Sequence, residues 1–157
     1  MKILGIDPGT ATTGYGIIEA NHGDLKMIEY GCIETSKKKS AADRLAEIHH
    51  DLNKLIKKYK PRIIAVESLF FFKNLKTAIA VAQARGVVLM CAAENHLKLV
   101  EFTPLQVKKT LTNYGKAEKK QVQFMVQKLL DLPSVPKPDD AADALAIAIC
   151  GSNYKTI

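Results

Sequence analysis

Four acids stand where this chain could do chemistry. Asp7 closes the apolar run "KILGID" just before a Pro-Gly turn, and Glu67 closes "RIIAVE". Asp140 and Asp143 lie in "DDAADALAIAIC", three residues apart, which on a helix is one face within one turn. Asp139 is adjacent, but only Asp140 stands in the i, i+3 relation to Asp143. Acids that end buried strands are costly unless paired or metal-bound, and no arginine is placed by the sequence to neutralise them. A donor set of oxygens alone, without His or Cys, suits Mg²⁺ or Mn²⁺ rather than zinc. Two such ions, about 3.5–4 Å apart, can clamp the attacking and leaving oxygens of a phosphodiester. Singly, each acid has an ordinary explanation; Asp140 and Asp143, both expected in the first turn of their helix, would also suit the macrodipole there. Only the combination points to phosphoryl transfer.

The elements that must position these acids follow from pattern. "KILGID", "TGYGIIEAN" and "LKMIEYGCIET" read as three strands joined by short turns, an antiparallel meander. Ser40, with Asp43 three residues on, caps a helix whose apolar residues Leu45, Ile48, Leu52, Leu55 and Ile56 recur at helical spacing and which ends before Pro61. "RIIAVE" is a fourth strand, continuous enough in apolar character to be central. A long helix over roughly 74–96 is apolar nearly all round and packs on two sides, as a core helix or as a subunit interface. "KLVEFT" is the fifth strand, Thr103 and Pro104 begin another helix, a further helix covers about 117–130, and Asp139 opens the last. The order implies one α/β domain over 1–157: a mixed sheet of about five strands with helices on both faces. If the first and fourth strands are neighbours, their carboxyl ends share one crevice, the usual ligand position in open α/β sheets.

Composition narrows the partner. Lys and Arg number 23 against 16 Asp and Glu, a net charge of +7, which favours a polyanion, nucleic acid before membrane. Only three basic residues are arginine, so the surface suits phosphate contact more than base reading. Cys32, Cys91 and Cys150 form no CxxC, and the four histidines lack zinc-site spacing. "MKILGIDPG" is a strand and turn rather than a signal peptide. Gln83 and Arg85 within the apolar stretch 78–93 argue against a membrane span. A reducing cytoplasm is the expected location.

"GIDPGTATTGYGII", "AVESLFFFKN", "AQARGV", "QVKKT", "AEKKQVQ" and "DDAADALAIAI" together resemble the RuvC family of Holliday-junction resolvases, from residue 3 to about 150. The resemblance implies a ribonuclease-H-like fold, a homodimer, and symmetric, metal-dependent cutting of two opposing strands of a four-way DNA junction in recombination and repair. It implies that Asp7, Glu67, Asp140 and Asp143 are the catalytic carboxylates, with Asp7 bridging two Mg²⁺ ions for which Mn²⁺ substitutes. It places Lys108 and Lys119 near the DNA backbone, with Lys119 also stabilising charge on the phosphate, and it assigns Phe70 a base-stacking role. Phe71 and Phe72 have weaker claims, while Lys73, next in line, is a candidate phosphate contact. A branch-migration motor of RuvA and RuvB is the partner the resemblance suggests. "GIDPGT" alone also resembles the phosphate turn of actin-like phosphotransferases, which need a longer two-lobed chain and leave the helix acids unexplained. A junction-binding module without chemistry is disfavoured by four intact acids.

Overall fold

A computed structural model describes residues 1–68 and 75–154. Five strands, β1 (Lys2–Asp7), β2 (Thr12–Asn21), β3 (Asp24–Glu34), β4 (Ile63–Glu67) and β5 (Lys98–Phe102), form one sheet in the order β3-β2-β1-β4-β5. The first three make the antiparallel meander, while β4 and β5 continue it in parallel. The helices are α1 (Ala41–Tyr59), α2 (Leu75–Glu94), α3 (Pro104–Thr112), α4 (Lys119–Leu129) and α5 (Asp139–Ser152). Local sequence explains their starts. Ser40 accepts a hydrogen bond from the Asp43 amide, and Thr103 forms a capping box with Gln106 behind Pro104.

Strand alternation sorts the core into two layers. Leu4, Ile6, Ile17, Ile64 and Val66 face α1 and α2. Ile3, Ile18, Ile63 and Ala65 face α3, α4 and α5. Helices therefore cover both faces, as the order of elements implies. On the second face the strands present Gly5 and Gly14, where added Cβ atoms would stand 2.1 Å from the Ala144 carbonyl oxygen and 2.0 Å from that of Asp140. The alanine-rich helix α5 thus lies directly on bare strand backbone, closer than any side chain would permit.

Helix α2 contradicts the compositional argument made for it. Thr77–Glu94 has the length and mean hydropathy, 1.3, of a membrane span despite Gln83 and Arg85. Its setting is that of a core helix on one side: Ala84, Val88, Cys91 and Ala92 are buried against α1 and the sheet, and Arg85 pairs with Glu101 of β5. Its other side carries Leu75, Ile79 and Met90 outward.

Candidate active site

Parallel pairing of β1 and β4 sets Ile6 beside Val66, so the next residue of each strand is the acid. Asp7 shares the strand face of Gly5, two residues earlier, and so points toward α5. That helix, seated on Gly5 and Gly14, brings Asp140 and Asp143 down to it. Carboxylate oxygens of Asp7, Asp140 and Asp143 all lie within 4.8 Å of one another. Glu67 stands outside that tight trio but lines the same cleft of about 230 Å³, together with Asp7, Asp143, Lys108 and Lys119. Val107, Val122 and Ile147 form its apolar wall.

Asp140 is not among the residues lining the cleft. It lies toward β3, where its charge is felt by the Cys32 thiol, which is pushed up first by burial and then by Asp140. Asp143 falls beyond the first turn of α5, which holds Asp139 and Asp140. The expectation that both site aspartates answer the helix dipole is therefore corrected for Asp143, whose compensating charge is Lys119 instead.

Lys119 opens α4 and was expected from sequence as a phosphate ligand. Its Nζ donates to Asp143 Oδ2 at 3.1 Å and to Asp139 Oδ2 at 3.3 Å. Asp139 also accepts from Gln123 Nε2 at 3.1 Å. These contacts, led by Gln123, hold its carboxyl below the usual range. Asp139 thus faces α4 and shares the Lys119 ammonium with Asp143, and Gln123 is a residue that sequence reasoning missed. Its signal is weak, a polar position buried on an otherwise apolar helix face. Lys108 of α3 is half-buried in the cleft wall. Phe70, Phe71, Phe72 and Lys73 lie outside the described residues.

The cluster holds more negative charge than it can keep. Burial, then Asp143, Glu67 and Asp140, push the Asp7 carboxyl up to about 8, with Lys119 opposing. Burial also raises Glu67 and Asp143, the latter against the hydrogen bond from Lys119. One ammonium does not neutralise this set. Convergent, partly buried oxygen donors whose charged forms outnumber the one counter-charge beside them are the donor chemistry of a hard divalent cation. The residues therefore fit a metal ion on their own physics.

A mixed five-stranded sheet with acids at the ends of its neighbouring parallel strands, completed by acids from a helix laid across it, defines a nuclease of the ribonuclease-H-like class. Residues 3–151 match the family described as "Crossover junction endodeoxyribonuclease RuvC". Proteins of that name from Fusobacterium nucleatum and Syntrophomonas wolfei are 54% and 56% identical to it, spanning 98% and 96% of this chain and 80% and 87% of theirs. A solved structure of Thermus thermophilus RuvC with a Holliday junction substrate superposes with a TM-score of 0.87 at 31% identity, covering 96% of this chain and 92% of that one. The chain belongs to the RuvC family.

Proposed function

We propose that residues 1–157 form one nuclease domain that resolves four-way DNA junctions by metal-dependent phosphodiester hydrolysis. The observation that carries this is the meeting of Asp7, Asp140 and Asp143, far apart in sequence, with their oxygens within 4.8 Å, and Glu67 on the next strand opening into the same cleft.

Asp7, Glu67, Asp140 and Asp143 would hold Mg²⁺, with Mn²⁺ able to substitute and two ions per site. When bound, the ions supply polarisation of the phosphate and a more acidic water. The chain's own groups do the rest. Asp7, central to the trio, neutralises and positions the cationic charge. Asp143, whose proton affinity is raised by burial, is suited to accept the attacking water's proton. Lys119, already oriented on Asp143, can turn its ammonium to charge developing on the phosphate. Lys108 contacts the backbone from the cleft wall, and Lys73 and Phe70, close after Glu67 in sequence, are further candidates for contact with the strand.

Each cleft cuts one strand. Paired cuts require two clefts related as the junction arms are related, which a two-fold homodimer provides. The outward stripe of α2, with Ile79 59% and Met90 47% exposed, supports that assembly. A cytoplasmic location and work alongside a RuvA–RuvB motor complete the proposal.

The deciding experiment uses a labelled mobile junction with and without Mg²⁺. Symmetric, ligatable nicks that need the metal are expected. Cutting of plain duplex at the same rate, or no cutting in Mg²⁺ or Mn²⁺, would overturn the assignment.

A further inference from the structure

On the opposite side of the sheet from α5, helices α1 and α2 bring together a second set of donors that spacing in the sequence conceals. His49 lies on α1, while Cys91 and Glu94 lie one turn apart on α2, so His49 is separated from the other two by β4 and the loops that flank it. Their ligand atoms, a ring nitrogen, Sγ and a carboxylate oxygen, all lie within 4.8 Å of one another. His49 Nε2 is 2.8 Å from Glu94 Oε2. Cys91 is fully buried, yet its sulfur is within 3.7 Å of Asn53 Nδ2, which also reaches His49. Asn95 Nδ2 donates to Asn53 Oδ1 at 2.7 Å and so fixes that amide's orientation, its NH₂ end toward the sulfur.

We propose that His49, Cys91 and Glu94 form a transition-metal site of the zinc class that clamps α1 to α2, separate from the acid cleft. One nitrogen, one sulfur and one oxygen suit Zn²⁺ and exclude Mg²⁺ and Ca²⁺ as natural occupants. Zinc bonds of about 2.0–2.3 Å place tetrahedral ligand atoms roughly 3.5 Å apart. His49 Nε2 and Glu94 Oε2 therefore open from 2.8 Å while any pair near the 4.8 Å limit closes by about an ångström, within reach of side-chain torsions at His49 and Glu94, both partly exposed. Binding replaces the His49–Glu94 hydrogen bond and releases the Cys91 proton to solvent. The Asn53 amide, aimed at the sulfur and held by Asn95, is the outer support that a metal-bound thiolate uses.

Co²⁺ titration under anaerobic conditions tests this, with excess Mg²⁺ present to occupy the acid cleft. A near-ultraviolet thiolate-to-cobalt band with one ion per chain is expected, because carboxylates alone produce no such band. His49→Gln, a change at a partly exposed position, should weaken binding about 10–100-fold. Cys91→Ala should abolish the band, and Cys32→Ala should keep it. Zn²⁺ should raise the melting midpoint of the unaltered protein and not that of His49→Gln. Absence of the band in the unaltered protein, its survival in Cys91→Ala, or its loss in Cys32→Ala would each overturn the site.

Discussion

Lys119 Nζ rests 3.1 Å from Asp143 Oδ2, so the first residue of α4 meets an acid of α5 at the mouth of the cleft. Its charge lowers the proton affinity of Asp143 and, at longer range, of Asp7. Lys119→Met should therefore do two things. It should slow single-turnover junction cutting by about 100-fold, the scale for removing one donor from a developing oxyanion. It should also shift the metal requirement downward, because the ammonium that occupies Asp143 repels a divalent ion more strongly than a proton. Lys119→Arg should restore most of the original metal requirement. Cleavage measured across a Mg²⁺ series would separate the effects, and an unchanged metal midpoint in Lys119→Met would deny the electrostatic link.

Asp7 makes a prediction about stability without metal. Its carboxyl is near 3.8 when exposed and about 8 when folded. A raised acid binds its proton more tightly in the native state, so its contribution is fully favourable below pH 4 and is lost as pH rises toward 8. In chelator, stability should decline across that window. Asp7→Asn should flatten the decline and leave the metal-free protein more stable near pH 8, by about 1–3 kcal/mol, less than the full shift implies because water reaches the cleft. The same variant should lose cutting while retaining junction binding. Denaturant melts at several pH values, with and without Mg²⁺, measure the first effect, and gel shift the second. A flat profile in the unaltered protein would remove Asp7 as the dominant strained charge.

The seat of α5 is equally open to test. A methyl at Gly14 would press within 2.0 Å of the Asp140 carbonyl oxygen, backbone that cannot turn aside. Gly14→Ala should cost about 2–4 kcal/mol, in the range of overpacked or displaced cores, and should lower metal affinity by lifting Asp140 and Asp143 from Asp7. Gly86, helical and on the outward stripe of α2 between Ile79 and Met90, is far from the acids and is the contrast: Gly86→Ala should leave metal affinity unchanged. Thermal melts and metal titration of both variants provide the comparison.

These positions show how much could be seen in the chain itself. Periodicity located all five strands and every helix within a few residues, because β1, β4 and α1 carry unambiguous apolar patterns and caps. That Asp7 and Glu67 end adjacent strands was an assumption borrowed from the crevice rule; pairing order is a long-range property that no local pattern encodes. The role of Gly5 and Gly14 was invisible for the same reason, since a glycine's meaning depends on what approaches it. The Lys119–Asp143 pair needs α4 docked on α5. The His49, Cys91 and Glu94 grouping has no signature in sequence spacing, because it joins residues of two helices that only the fold brings together.

The outward face of α2 should behave as an interface. Ile79 is 59% exposed, so Ile79→Glu leaves the monomer's core untouched while placing a charge in the stripe shared with Met90. Dimerisation should weaken by roughly tenfold or more, at least about 1.4 kcal/mol. Under dilute conditions paired cutting of a junction should give way to single nicks, although each cleft remains intact. Sedimentation and the ratio of paired to single cuts read this directly, and an unaltered dimer would move the interface elsewhere.

Phe70 follows Glu67 by three residues in sequence, and a ring exposed beside a phosphodiester site can stack on an unpaired base. Stacking of about 1–3 kcal/mol per base corresponds to roughly five- to hundredfold in rate if it is made only as the junction opens. Phe70→Ala should therefore bind junctions nearly as well and cut them that much more slowly, while Phe70→Trp, which keeps a stacking face, should retain most activity. A fluorescent base analogue at the crossover should brighten on binding the unaltered protein and not Phe70→Ala, because unstacking precedes chemistry. Equal single-turnover rates for the unaltered protein and Phe70→Ala would remove the ring from the mechanism and leave it as cover for apolar surface.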